Sequence, residues 1–185
     1  MSKTVRPSEI LPLERYEALR PALQQRVLFE KARRRVHVGA HLTFLFENAE
    51  TVRYQVQEML RIERRHAPAD VEHEVATYNE LLGGPGELGC TLLIEVEDPG
   101  ERDLLLRSWL DLPEHVYVEL EGGLRIPGRF DPRQVGEGRL SSVHYVVFPV
   151  AGRTPVAVGC SHPALDARTE LAADQQNALA EDLRD

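Results

Sequence analysis

Cysteine, tryptophan and methionine are scarce in this chain, with two, one and two copies among 185 residues. Two thiols cannot build a disulfide framework, so Cys90 and Cys160 are expected as reduced, buried core residues. Aromatic residues make up only 6% of the chain, too few to interleave exposed rings along a basic strip for stacking nucleic-acid bases. Long apolar runs are missing too. The stretch 143–150, with His144 inside it, is strand-sized and far short of the ~20 residues that cross a bilayer. The opening residues reach Lys3, Arg6 and Glu9 without an apolar segment, so no signal peptide and no membrane partner are expected, and the location is read as cytoplasmic. The glycines at 83, 84, 86 and 89 are followed by no Gly-Lys-Ser/Thr and lead from helix to strand, the reverse of a phosphate loop. No internal repeat or low-complexity tract occurs.

What is present has ordinary globular proportions, 42% apolar and 28% charged. A chain of this length buries roughly 70% of its unfolded surface and needs no metal or disulfide to stay folded. Net charge is −8, unevenly spread. Residues 1–66 carry 13 basic and 8 acidic groups, and residues 67–185 carry 9 and 22. The densest basic run, Lys31-Ala32-Arg33-Arg34-Arg35, falls at a helix C-terminus, where the helix dipole favours cations. The overall field repels a polyanion, so no nucleic-acid partner is expected.

Periodicity predicts an α+β fold, with a mixed, mainly antiparallel sheet of five or six strands and a helical hairpin and further helices packed on it. Residues 1–165 read as one domain and 166–185 as a polar helix or tail. Two short helices, broken at Pro21, fill the first 35 residues. Residues 36–47 alternate apolar and polar as one long strand. Stripes through Val52, Val56 and Leu60, and through Val71, Val75 and Tyr78, flank the connector 66–69 and predict an antiparallel hairpin, with Asp70 capping its second helix. A strand at Cys90 to Val96 precedes a helix opened by Asp98, Pro99 and Glu101. Strands follow at 116–120, 124–126, 140–150 and 155–160, with 127–138 as a loop and a short helix near 175–183.

Candidate chemistry is sparse. His37 and His41 sit four apart, but on a strand that spacing separates them by roughly 13 Å, too far to share an ion. Glu63-Arg64-Arg65-His66 has one Glu-x-x-His step where a di-iron bundle needs two, plus further glutamates. Neither Cys160-Ser161-His162 nor Ser142 with His144 has the contact that a nucleophile and base require. No metal or cofactor is therefore expected. The hairpin is the most polar ordered element: Gln55 and Glu58 either pair off internally or line a pocket, because an unpaired buried carboxylate costs several kcal/mol.

The runs Arg33-Arg34-Arg35-Val36, Leu42-Thr43-Phe44-Leu45-Phe46-Glu47-Asn48, Gln55-Val56-Gln57-Glu58-Met59, Tyr78-Asn79-Glu80-Leu81 and Thr91-Leu92-Leu93-Ile94-Glu95 resemble a bacterial family, domain of unknown function 3501. His144-Tyr145 and His162-Pro163 extend the likeness over nearly the whole chain. Ala164 and Leu165 stand where that family usually carries an aromatic residue, so no role is carried over there. The resemblance implies an auxiliary part in redox or peroxide defence, beside rubrerythrin-like and iron–sulfur oxidoreductase proteins, and brings no metal ligands to this chain. Two readings follow. One is a non-catalytic accessory protein that binds a redox partner through Arg33, Arg34 and Arg35 or through the helical hairpin. The other is a small enzyme or ligand-binding protein with a pocket lined by Glu47, Gln55, Glu58, His73 and Tyr78.

Overall fold

A computed structural model describes residues 3–184. Residues 1, 2 and 185, part of the opening and closing stretches read above, lie outside the described residues. In chain order the elements are α1 (Leu13–Ala32), β1 (Arg35–Val38), β2 (Leu42–Phe46), α2 (Ala49–Glu63), α3 (Pro68–Asn79), β3 (Leu88–Ile94), α4 (Pro99–Ser108), β4 (Val116–Leu120), β5 (Arg125–Pro127), β6 (Arg129–Phe130), β7 (Val135–Gly136), β8 (Arg139–Leu140), β9 (Val143–Phe148), β10 (Pro155–Cys160), β11 (Ala167–Glu170) and α5 (Ala173–Arg184). The fold is α+β, and every strand pairing is antiparallel. The strands divide between sheets where one was expected: β1-β2-β3-β9-β6, β11-β10-β4-β5, and a ribbon of β7 and β8. No helix among the described residues is long and apolar enough to cross a membrane.

One core fills the space between the two larger sheets. Phe44 and Phe46 of β2, Cys90 and Leu92 of β3, and Phe148 of β9 meet Val116 and Val118 of β4 and Val158 and Cys160 of β10. Both cysteines are free and buried. Desolvation pushes both thiols up, which makes them inert packing groups. Leu106 of α4 and Leu179 of α5 close the ends of this core. The closing stretch is thus packed in, with β11 paired to β10. A second cluster, Val52, Val56 and Leu60 of α2 with Val75 of α3 and Val5, lies under the helical hairpin.

Three local expectations are corrected. Residues 36–47 form a hairpin, not one strand, because Gly39 takes the left-handed conformation (φ +61) and the chain reverses through 39–41. Val38 pairs with Leu42, so the three-residue turn preserves side-chain parity and the alternation runs on as if the strand were continuous. The first helix is continuous through Pro21. Proline removes one intrahelical bond, while buried Tyr16 and Val27 anchor the helix on either side of it. Asp70 is not the cap of α3: Pro68 opens that helix, and Asp70, at its third position, accepts from the Ala67 amide at 3.2 Å.

The hairpin's position on the sheet is set at Gly89. A Cβ there would lie 1.6 Å from the Leu81 carbonyl oxygen, in the turn Glu80–Leu82 that follows α3. Only a bare backbone allows that turn to rest directly on β3. Gly89→Ala is expected to cost more than about 3 kcal/mol in urea denaturation, since backbone rather than a flexible side chain must move. Gly84→Ala, which meets only the Glu87 carboxylate end at 3.3 Å, is expected to stay within about 1 kcal/mol of the parent. Equal stability of the two variants would contradict this reading.

Candidate functional site

Alternation in β2, β3 and β9 sends one set of side chains into the core and the other onto the outer face of the five-stranded sheet. Cross-strand register lines the outer set into rows. Arg35, Leu45, Thr91 and Tyr145 form one row across β1, β2, β3 and β9, and Leu93 and Val143 sit side by side in the next. The helical hairpin covers only part of this face. Between them lies a cleft of about 290 Å³, floored by Leu45, Thr91, Leu93, Val143 and Tyr145. Its walls are Val52 and Gln55 of α2, Tyr78 and Leu81 from the end of α3, Lys31 of α1, Arg35 and Glu47.

Three of the five residues expected at a pocket, Glu47, Gln55 and Tyr78, come together here. Arg35, expected on a partner surface, joins them. Glu47 accepts hydrogen bonds from the Thr91 hydroxyl at 2.7 Å and the Thr51 hydroxyl at 2.5 Å. Burial raises the Tyr78 phenol above its ordinary value, with nearby Tyr145 acting in the same direction, while a hydrogen bond from Gln55 works against both. Tyr78 is therefore a neutral hydroxyl at physiological pH, able to donate into the cleft. Thr91 and Tyr145 are not expected at a site from the sequence, because they read as ordinary strand positions and only the register places them beside Leu45.

Glu58 and His73 stand elsewhere. Glu58 faces α1, where Arg20 grips both its oxygens (2.8 and 2.9 Å) and the Tyr16 hydroxyl donates at 2.6 Å. Arg61 adds two contacts of 3.3 Å. Those partners, Arg20 foremost, hold the carboxyl down to about 2. His73 is exposed on α3. The arginine run is largely committed inside the fold. Arg34 is buried and bidentate to Asp182 of α5 (2.8 and 2.9 Å), and it also bonds Glu30. Removing one partner of such a pair costs about 3–5 kcal/mol, so this contact fastens α5 to α1. Arg33 pairs with Glu181 at 3.2 Å.

The remaining sequence candidates resolve into structural contacts. His37 bonds the Thr43 hydroxyl at 2.8 Å, and His41 packs 5.7 Å from Trp109, centroid to centroid. His144 is buried, its Nε2 2.9 Å from the Ser141 carbonyl. Arg65 of the Glu-x-x-His segment is drawn to Asp70 at 2.8 Å. No group of three or more histidine, cysteine or acidic side chains that could hold a metal occurs among the described residues. One cluster lay too far apart in sequence to be foreseen: Asp111 bridges His115 (3.0 Å) and His162 (3.3 Å), whose Nδ1 accepts from the Ala164 amide. It ties the turn before β4 to the segment leaving β10. A larger hollow of about 390 Å³ lies between α1 and α2. Its charges are paired, Arg26 with Glu50 at 2.9 Å and Arg53 with Glu9 at 3.3 Å, and among the described side chains that line it Arg53 Nε is buried without a partner.

Residues 4–183 match the model of a family described as a protein of unknown function, DUF3501. No curated protein matches the chain. A solved structure of a novel protein of unknown function from Burkholderia pseudomallei K96243 is 29% identical, covering 97% of this chain and 99% of that one with a TM-score of 0.89.

Because folding lowers the Glu58 pKa, its stabilisation is complete above pH 4.5, the ordinary value, and is lost as pH falls through about 2. Glu58→Gln is expected to lose about 1–3 kcal/mol at neutral pH and progressively less toward pH 2 in urea melts. A deficit independent of pH would show that the carboxylate charge is not what holds α1 to α2.

Proposed function

The chain belongs to the DUF3501 family, and from that premise we propose that it is a small-molecule-binding protein whose site is the cleft between the helical hairpin and the outer sheet face. The observation that carries this reading is convergence: Glu47, Gln55, Tyr78, Thr91 and Tyr145, from four different elements and their flanks, line one hollow with an apolar floor. Apolar surface with a few aimed polar groups is the usual make-up of a ligand site, and 290 Å³ is at the small end of the range. Glu58 and His73 leave the proposed set; Thr91 and Tyr145 enter it. A cytoplasmic location remains part of the proposal.

A thermal-shift screen of metabolites tests it. A ligand at about 100 times its Kd is expected to raise Tm by roughly 5–10 °C. That shift should vanish in Gln55→Ala/Tyr78→Phe and persist in His73→Ala. Hits whose shifts survive the double variant, or a screen with none, would refute the cleft as the site.

The second reading, an accessory protein for a rubrerythrin or iron–sulfur oxidoreductase partner in redox or peroxide defence, draws support from one patch. Leu28 and Phe29 of α1 are 59% and 62% exposed, and the Arg33 guanidinium lies 5.7 Å above the Phe29 ring. Capture of such an oxidoreductase by the parent at low salt, and its loss in Phe29→Ser, is the expected result; equal capture by both would remove the patch from consideration.

A further inference from the structure

Charge is unevenly settled around the cleft. The neighbouring arginines are matched: Arg33 with Glu181, Arg34 with Asp182 and Glu30, Arg26 with Glu50. Lys31 and Arg35 both line the cleft, and among the described residues neither side chain has an ion-pair or hydrogen-bond partner. In a chain with 30 acidic residues against 22 basic ones, carboxylates are not in short supply. The one carboxylate of the lining, Glu47, has an oxygen turned to each of two threonine hydroxyls. Both its oxygens are thus engaged by hydroxyl donors, and neither Lys31 nor Arg35 forms an ion pair with it.

The layout of the floor adds shape to that charge. Arg35 begins the row and Tyr145 ends it, with Leu45 and Thr91 between. Three strand spacings separate the ends, about 14 Å between backbones. Leu93 and Val143 lie alongside as an apolar strip, and Val143 is 38% exposed. The cleft thus has the Arg35 guanidinium at the β1 edge, an apolar strip alongside the row, and the Tyr145 hydroxyl at the β9 edge.

We propose that the ligand is a small organic carboxylate, its anionic head held by Lys31 and Arg35 and its apolar body laid over Leu45, Leu93 and Val143. A planar carboxylate suits the arginine fork, which offers two parallel N–H donors, while lysine supplies a mobile point charge beside it. Tyr78 and Gln55 meet any polar group at the far end. This inference rests on the cleft being the binding site and adds the charge class of what it takes.

The test uses the full chain, with 3-phenylpropionate as probe and its neutral amide as control, titrated calorimetrically at low salt. The acid is expected to bind, and the amide about tenfold more weakly or worse. Lys31→Gln and Arg35→Gln should each weaken the acid by about tenfold and leave the amide unchanged. Their melting temperatures, from circular dichroism, should stay near that of the parent because both side chains are partly exposed. Raising salt should weaken the acid alone. If acid and amide bind equally and Gln55→Ala/Tyr78→Phe weakens both, the cleft reading stands and the anion proposal falls. Acid binding that is insensitive to Lys31→Gln and Arg35→Gln also overturns the proposal. Absence of binding by either probe overturns the carboxylate proposal, and the cleft reading falls with it when the metabolite screen also yields no hit.

Discussion

The direct seating of the Leu81 carbonyl on the bare backbone of Gly89 fixes the distance between the helical hairpin and the sheet. A side chain at that position would lift the turn Glu80–Leu82 off β3, because the atom met is backbone and cannot rotate away. With the turn seated, Leu82 buries itself beside Val52 and Val56, and Leu81 and Tyr78 become one wall of the cleft. The hairpin thus touches the sheet closely at one end and leaves the rows nearer the β1–β2 turn open. The cleft exists because that contact is tight and local.

Ionic contacts then hold the periphery in place. Glu58 draws α1 to α2 through Arg20 and Tyr16, and Arg34 draws α5 to the end of α1 through Asp182. Glu58 is held low by its partners, whereas burial raises the Asp182 carboxyl despite the Arg34 fork, so the second network fixes the position of α5 more than it stabilises the fold. The consequence for function is positional. By anchoring the last turn of α1, Arg34 sets where Lys31 stands, and by leading into β1 it sets the start of the row headed by Arg35. Of the three consecutive arginines, one is structural, one is a surface partner for Glu181, and one faces the cleft.

How far the sequence discloses this differs from element to element. Class, hairpin and the start of α4 are legible because they depend on local signals: the stripe through Val52, Val56 and Leu60, or Asp98, whose side chain accepts from the Glu101 amide at 2.7 Å. The division into two sheets is not legible, since alternation says that a strand has an inner face and not which strand lies opposite. The turn at 39–41 is hidden for a related reason, because its odd length keeps the apolar parity intact. Glu47, Gln55 and Tyr78 could be nominated from polarity on a patterned hairpin. Glu58 shared that polarity but lies on the α1 side of α2, and only the packing angle of α1 separates the two cases. Thr91 and Tyr145 carry no local signal at all; cross-strand register alone makes them part of the site.

The account turns on the cleft being where a ligand sits, and methyl-resolved NMR of the chain during titration with 3-phenylpropionate reads that most directly. Chemical-shift changes confined to Leu45, Val52, Leu81, Leu93 and Val143, with Leu106 and Val118 of the core unmoved, are the predicted result. Changes centred instead on Leu23 and Val27, in the hollow between α1 and α2, would contradict it.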